Sequence, residues 1–231
     1  MRDIWKKKLI VSPSLITLDM TDLRNQMKLL EENGVEMLHV DILDGHFSPS
    51  MPLGLDTVRQ LRKVTNLKFE CHVMVTEPDF FIDELLDIGV DQIVFHIETA
   101  PHVDGLLNKI HAKGVRAGVA LKPATPLCEL EYILEKCDCV CLMLINPGYA
   151  SVKGEKQVVY AERKVKELRK MIDERHLDTI IEIDGRVSMD NMRAWGKDDV
   201  QIFVGGSTCI KRDDIPGSIQ KLKEVRDEVL G

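Results

Sequence analysis

The sequence predicts a (β/α)8 TIM barrel, a closed ring of eight parallel strands with helices outside it. Three observations lead to this prediction. Short β-branched or apolar runs recur along the 231 residues, stretches with helical spacing lie between them, and no GxGxxG motif follows the first strand. Crossovers between parallel strands of this length must be helical, so strand and helix alternate. Eight such units in this length fit a small closed barrel better than an open sheet. We expect residues 1–231 to form one barrel domain.

Eight segments are predicted to be strands, because each is apolar or β-branched and is bounded by turn-forming or polar residues. They cover residues 8–14, 36–42, 67–75, 91–98, 115–122, 138–145, 179–184 and 200–206.

Helices are predicted between these strands. In residues 22–34, Leu23, Met27 and Leu30 share one stripe, and Gly34 follows as a C-terminal cap. Three further segments show the same spacing, at residues 79–89, 103–114 and 160–176.

Composition restricts the class of protein. The net charge of −7, with no basic run longer than the three lysines at 6–8, argues against nucleic acid as a main partner. No window is apolar enough for a membrane helix and the first residues do not resemble a signal peptide, so we expect a cytoplasmic protein without a membrane partner. The six cysteines form no CxxC pair, and we expect reduced, buried thiols.

Polar side chains inside the strands need an explanation, because both faces of a barrel strand are buried. Most lie toward the C-terminal end of their strand, which is where barrel enzymes build their active sites. They are Ser14, His39, Asp41, Glu70, His72, His96, Glu98, Lys122, Glu182, Asp184 and Ser207.

Four of these residues suggest a metal site. His39 and Asp41 are two apart and therefore share a strand face, and His72 and Asp184 come from two other strands. Two imidazoles and two carboxylates suit zinc and also accept manganese, iron or cobalt. The alternative is a buried polar network without a metal, in which the carboxylates would have only imidazolium partners.

Two carboxylates at one cation suggest proton transfer at carbon. A divalent metal could hold a ketone oxygen and the neighbouring hydroxyl and so stabilise the negative charge of an enediolate. One aspartate on each face could then remove a proton and the other return one, which would invert that carbon. Asp41 and Asp184 are the candidate acid/base pair.

The motifs around these residues resemble those of the ribulose-phosphate 3-epimerase family, including its allulose-6-phosphate 3-epimerase relatives. The resemblance runs from about residue 11 to about residue 207 and rests on SPSL, HVDILDGHFSP, CHVMV, HIE, ALKPATP, LMLINPGY, EIDG and VGGS. It implies a metal-dependent ketose-phosphate 3-epimerase with a sugar phosphate as its small-molecule partner, and self-association into a homo-oligomer.

The resemblance also implies roles for single residues. It places the metal on His39, Asp41, His72 and Asp184, and makes the two aspartates the acid/base pair. The residues that it implies contact the sugar or its phosphate are Ser14, Met74, Met143, Gly148, Gly185, Gly205, Gly206 and Ser207. A short helix is expected to begin near Ser207 and point its positive end at the phosphate.

Several positions depart from the family pattern. Leu43 replaces a methionine, Pro49-Ser50 replaces Pro-Asn, and in the loop 146–152 Ala150 and Ser151 replace glycines and Val152 replaces a glutamine. Arg186 replaces the second glycine of the Asp-Gly-Gly motif. Arg186 could pair with a phosphate or carboxylate and compensate for the altered loop, or it could be an exposed residue at a helix start.

Two alternative functions remain open from the sequence. One is an aldolase or an isomerase acting on another phosphorylated sugar, for which Lys122 at the end of the fifth strand could form a Schiff base. The other is a non-catalytic sugar-phosphate-binding barrel.

Overall fold

The computed structural model describes residues 4–150 and 152–231, and this part of the chain contains all eight predicted strands in one parallel sheet. The strands are β1 (Ile10–Pro13), β2 (Met37–Leu43), β3 (Lys68–Met74), β4 (Gln92–His96), β5 (Arg116–Leu121), β6 (Cys139–Met143), β7 (Ile180–Asp184) and β8 (Ile202–Gly205). Each strand pairs with its neighbour in sequence, and β8 pairs with β1. A single bridge between Ser14 and His39 joins β1 to β2, so the (β/α)8 barrel is nearly closed.

Helices cover the outside of the barrel. They are α1 (Leu23–Glu32), α2 (Leu55–Arg62), α3 (Pro78–Ile88), α4 (Val103–His111), α5 (Ala161–Glu174), α6 (Met189–Trp195) and α7 (Ile215–Leu230). The four stretches singled out by their spacing are confirmed. Gly89 ends α3 in the left-handed conformation, with φ of 80°.

One expected helix is absent. The expectation of a helix after every strand was wrong for the fifth crossover, where two 3-10 turns, Leu127–Leu130 and Leu134–Lys136, join β5 to β6. Pro123 and Pro126 lie at the start of this short connection, and each lacks the backbone N–H that a continuing helix needs.

The apolar core has an outer and an inner part. Between strands and helices, Phe69, Phe95 and Phe203 are fully buried, and burying each such side chain contributes about 1.5–3 kcal/mol. A smaller cluster inside the barrel includes Cys139 and Cys141. All six cysteines are free, and five of them are buried as expected, but Cys128 is exposed and corrects that expectation. The inner apolar cluster leaves the C-terminal end of the barrel to the polar side chains.

Among the described residues, no helix combines the length and the apolar character needed to cross a bilayer.

Candidate active site

A cavity of about 360 Å³ opens at the C-terminal end of the barrel. Its walls come from the ends of the strands and from the loops that follow them, including Ser14, Asp41, Met74, Met143 and Asp184. Polar groups of the sequence-predicted site therefore meet the largely apolar side chains of Met74 and Met143 in one concave space, as in many ligand sites.

Strand register places the histidines and carboxylates side by side. The parallel pairing of β2 with β3 sets Asp41 beside His72 and His39 beside Glu70. All four side chains are buried, and His39 and Asp41 point the same way because they are two residues apart on one strand. Asp184 ends β7 and reaches the same point from farther around the barrel.

The structure brings the four predicted ligands together. His39, Asp41, His72 and Asp184 each offer one ligand atom, and these atoms lie within 4.8 Å of one another. His39 Nε2 is 3.1 Å from Asp41 Oδ1, and His72 Nδ1 is 3.7 Å from Asp41 Oδ1 and 3.6 Å from Asp184 Oδ2. Ligands about 2.0–2.2 Å from a tetrahedral zinc ion are roughly 3.3–3.6 Å apart, which is close to these separations.

An unpaired buried atom also fits a cation at this point. His72 Nδ1 is buried and has no hydrogen-bond partner in the described structure, although it faces two carboxylate oxygens. A buried polar atom without a partner is normally unfavourable. A cation between His72 and the two carboxylates would satisfy this atom, so the donor set suits a divalent metal.

Charge in the cluster is balanced between imidazoles and carboxylates. Burial lowers the pKa of His72, but the hydrogen bonds and charges of Asp184 and Asp41 outweigh burial and raise the pKa to about 9. Burial also lowers the pKa of His39, and the charges of Glu70 and Asp41 outweigh burial and raise it well above its usual value. Protons on these rings therefore compete with a metal for the same nitrogen atoms.

Asp41 stays ionised in this surrounding. Burial raises the pKa of its carboxyl, but His39 and His72 outweigh burial and hold the pKa well below its usual range. The Ser14 hydroxyl donates to Asp41 Oδ2 at 2.9 Å and fixes the orientation of the carboxylate. Asp41 is thus in its ionised form at neutral pH.

Two buried glutamates, Glu70 and Glu182, lie behind His39, and the sequence pattern marks them as polar strand residues without indicating their role. The Nδ1 atom of His39 is hydrogen-bonded to Glu70 Oε2, and Glu182 Oε1 lies 3.5 Å from the same nitrogen. Burial and the nearby charge of Glu70 raise the pKa of Glu182. Glu70 accepts a hydrogen bond from His39 Nδ1–H and so orients the ring with Nε2 toward Asp41. The sequence signal that could have identified these glutamates is their spacing, because Glu70 lies two residues before His72 and Glu182 lies two residues before Asp184.

The residues expected to contact substrate have different positions. Those lining the cavity, besides Asp41 and Asp184, are Ser14, Met74, Met143, Gly148, Gly185, Arg186, Gly206 and Ser207. Gly205 instead packs against Val11 and Ile210, which lie within 3.5 Å of where its Cβ would be. Leu43, which stands in place of a methionine, also lines the cavity.

Arg186 holds the altered loop. Its Nη2 donates to the carbonyls of Ala150 and Val152, each at 3.0 Å, and its backbone is left-handed with φ of 51°. Ser151 lies outside the described residues. Arg212, which the sequence analysis did not select, lines the same cavity and donates from Nε to the Thr17 carbonyl at 3.2 Å.

Two expectations at the cavity rim need correction. No helix begins near Ser207, because residues 206–210 form a turn in which the Cys209 and Ile210 N–H groups both donate to the Gly206 carbonyl. Lys122 is not among the residues that line the cavity, and its ammonium lies 4.0 Å from the ring centre of Phe47. A Schiff-base role for Lys122 therefore has no support from this geometry.

Solved structures of other proteins share this barrel. The chain matches KGPDC from Streptococcus mutans with a TM-score of 0.71 and 12% identity, over 97% of this chain and 100% of that one. It also matches a tryptophan synthase α-subunit from Pyrococcus furiosus with a TM-score of 0.63 and 15% identity, over 97% and 98% of the two chains. Identities this low show a common fold and nothing about chemistry.

Sequence comparison is more specific. Residues 10–210 match the model of the ribulose-phosphate 3 epimerase family. The ribulose-phosphate 3-epimerase of Methanocaldococcus jannaschii is 34% identical over 95% of this chain and 92% of its own length. That of Bacillus subtilis is 33% identical over 92% of this chain and 97% of its own length. These matches and the matching barrel show that the chain belongs to the ribulose-phosphate 3-epimerase family and is an isomerase of that class.

Proposed function

We propose that this chain inverts the C3 centre of a phosphorylated ketose by proton transfer between Asp41 and Asp184. The observation that carries this proposal is the position of the two carboxylates. They come from strands β2 and β7, both line the cavity, and both face His72 Nδ1 at 3.6–3.7 Å. A planar enediolate between them would expose one face to each aspartate.

The divalent metal, which could be zinc, manganese, iron or cobalt, would be held by His39, Asp41, His72 and Asp184. When bound, such a cation supplies Lewis-acid stabilisation of negative charge on the sugar oxygens. Asp41 begins ionised and accepts the C3 proton on one face. Asp184 begins protonated and delivers its proton on the other face, so that turnover leaves Asp41 protonated and Asp184 ionised. The reverse direction starts from that state with the two roles exchanged, and proton exchange with solvent restores the first state. The Ser14 hydroxyl orients Asp41 through their hydrogen bond.

The remaining cavity residues would position the sugar and its phosphate. Met74 and Met143 supply apolar surface that excludes water near the reacting carbon. Backbone N–H groups around Gly148, Gly185, Gly206 and Ser207 are available to an anion, and Arg186 and Arg212 add positive charge at the same cavity. Gly205 would act indirectly, by allowing the β8 end to pack closely.

Ribulose 5-phosphate is the first substrate to test, because the relatives are named ribulose-phosphate 3-epimerases. The metal-loaded protein is incubated in D₂O with ribulose 5-phosphate and, separately, with allulose 6-phosphate, and deuterium at C3 is followed by NMR. Incorporation together with the C3 epimer supports the proposal and identifies the substrate. Absence of exchange with both sugars, in protein shown to contain stoichiometric metal, contradicts it.

A further inference from the structure

A series of hydrogen bonds behind His72 plays no part in the proposed proton transfer. His72 Nε2 lies 3.0 Å from His96 Nε2, and His96 Nδ1 lies 2.8 Å from Glu98 Oε2. Both rings are fully buried, and their centres lie 5.1 Å apart with 29° between the ring planes. The series therefore runs from His72 on β3, through His96 at the end of β4, to Glu98 in the turn after β4.

The far end of the series fixes its direction. Glu98 Oε1 accepts from the backbone N–H of Lys122 at 2.7 Å and also from the Thr125 hydroxyl. An ionised carboxylate can only accept, so His96 must donate its Nδ1–H to Glu98 Oε2.

The direction then determines what His72 presents to the cavity. His96 Nε2 faces His72 Nε2 at 3.0 Å, and a hydrogen bond between two imidazole nitrogens needs one N–H and one lone pair. A His96 ring that carries its proton on Nδ1 therefore accepts from the His72 Nε2–H. His72 therefore keeps its proton on Nε2 when a cation takes the other nitrogen. Nδ1, which faces Asp41 and Asp184, is left with its lone pair for the cation.

We propose that His96 and Glu98 are positioning residues that hold His72 in the tautomer and orientation needed to bind the metal through Nδ1. This inference rests on the metal site of the proposed function. His39 supports it by analogy within the same site, because its Nδ1 is bonded to Glu70 and its Nε2 faces Asp41. Each histidine ligand thus has a carboxylate behind it, directly for His39 and through a second imidazole for His72.

Glu98→Gln is the sharpest test, because it keeps a side chain of the same size beside His96 but reverses the donor and acceptor roles in the hydrogen bond between them. The backbone N–H of Lys122 requires an acceptor, so the new amide would keep its oxygen there and turn its NH₂ toward His96. His96 would then accept at Nδ1 and carry its proton on Nε2, opposite the His72 Nε2–H. Two N–H groups would face each other, and binding of metal at His72 Nδ1 would be disfavoured.

We expect the zinc dissociation constant of Glu98→Gln, measured by competition with a chromophoric chelator, to rise about 10–100-fold. In two-bond ¹H–¹⁵N spectra of histidine-labelled protein, the His96 proton should move from Nδ1 to Nε2. The matched control is Asp138→Asn, because Asp138 Oδ2 is also bonded to an imidazole, that of His111, and to a backbone N–H, that of Ala117, but lies at the other end of the barrel. This control should bind zinc within about twofold of the original protein.

A second pair of variants separates positioning from a general packing effect. The amide oxygen of His96→Gln can still accept from His72 Nε2–H, whereas His96→Leu removes the acceptor, so zinc affinity should fall more in His96→Leu. Metal-free melting temperatures identify any variant that fails to fold. Equal zinc affinity in Glu98→Gln, both His96 variants and the original protein overturns this inference. An original protein that binds no zinc, manganese, iron or cobalt overturns the metal site itself, which is a different and distinguishable failure.

Discussion

The Asp41 carboxylate accepts a hydrogen bond from the Ser14 hydroxyl, lies next to the rings of His39 and His72, and lines the cavity. Such a group is expected to be sensitive to the loss of its charge and less sensitive to the loss of volume. Asp184 shares the cavity and one histidine but is more exposed than Asp41, with 17% of its side chain accessible against 6%. The two residues can be compared by the same isosteric substitution.

Asp41→Asn and Asp184→Asn should each lower the epimerisation rate at least about 10²-fold, because each removes one general acid/base group. The rate is measured on the ketose phosphate identified by the exchange experiment, with metal content determined in the same samples. Asp190→Asn, at an exposed position at the start of α6, is the control and should keep the original rate. Turnover at the original rate by either site variant would refute the acid/base assignment.

Asp44 anchors the loop after β2 and gives a prediction about pH. Its carboxylate accepts from the N–H groups of His46, Phe47 and Thr76 and from the Thr76 hydroxyl, at 2.7–2.8 Å. Burial raises its pKa, but these hydrogen bonds, led by the Thr76 N–H, outweigh burial and lower it to about 2. The stabilisation is therefore present above the unfolded-state pKa, about 4, and is lost as pH falls toward 2.

Asp44→Asn should consequently reduce the free energy of unfolding near pH 6 and make less difference as pH falls from about 5 to 3. Urea unfolding at steps of pH measures this, with Asp213→Asn, an exposed residue, as the control. A difference between Asp44→Asn and the original protein that is constant over this range would show that ionisation of Asp44 has no part in stability.

At the scale of elements, loops after different strands pack on one another and shape the cavity. Gly148, in the loop after β6, is left-handed with φ of 78°, and a Cβ there would overlap Ser48 of the loop after β2. Gly114 is also left-handed, with φ of 73°, but has nothing within 4 Å of its Cβ position. Substitution of Gly114 therefore measures the cost of the left-handed backbone alone, whereas substitution of Gly148 adds the cost of overlap with Ser48.

Gly114→Ala should lower the free energy of unfolding by about 1–2 kcal/mol, the usual penalty for a left-handed alanine. Gly148→Ala should lower it by roughly 1 kcal/mol more, because it adds overlap with Ser48. Ser48→Gly combined with Gly148→Ala should return the effect to about that of Gly114→Ala, as measured by urea unfolding. If Gly148→Ala alone matches Gly114→Ala, the two loops do not pack as closely as described.

Arg186 joins the loop after β7 to the loop after β6 through the carbonyls of Ala150 and Val152. Arg186→Gly removes the guanidinium and also the left-handed strain, so the fold should be retained. We expect the KM for the ketose phosphate to rise about 10-fold or more, since a hydrogen bond to a charged group contributes about 1.5–3 kcal/mol. Steady-state kinetics test this, with Arg193→Ala on α6 as the control. An unchanged KM would leave Arg186 as a loop anchor alone.

At the scale of the whole molecule, the ligand cluster joins distant parts of the barrel. His39 and Asp41 lie on β2, His72 on β3 and Asp184 on β7. In the ring, β1 and β8 separate β2 from β7 on one side, and β3 to β6 separate them on the other. A bound cation would therefore cross-link the ring through its interior. The β1–β2 junction, joined only by the Ser14–His39 bridge in the described structure, is next to this cluster.

Metal at 100 times its dissociation constant should stabilise the fold by about 2.7 kcal/mol, which raises the melting temperature roughly 5–10 °C in a chain of this size. A chelator should reverse the shift, and the double variant Asp41→Asn/Asp184→Asn should show little of it. Differential scanning calorimetry measures all three. A shift of the same size in the double variant would place the stabilising metal elsewhere.

The sequence by itself determined the strands and the faces of their polar residues. A two-residue repeat fixes which side chains share a face, so His39 with Asp41 and Glu70 with His72 could be assigned to the barrel interior before any coordinates. The barrel rule for strand ends then predicted where the site lies, and the four side chains predicted to bind a metal lie close together in the structure. Propensity patterns were insufficient at the fifth crossover and near Ser207, where short, proline- or glycine-containing stretches form turns instead of helices.

Only the tertiary structure decided which groups stand behind the ligands and which line the cavity. Strand register places Glu70 against His39, and the neighbouring positions of β3 and β4 bring His96 against His72, neither of which follows from spacing in one strand. Arg212 reaches the cavity from a charged turn that resembles ordinary surface in the sequence. The physical reason is that periodicity is a property of one element, whereas a hydrogen bond between elements depends on register, crossover path and side-chain length together.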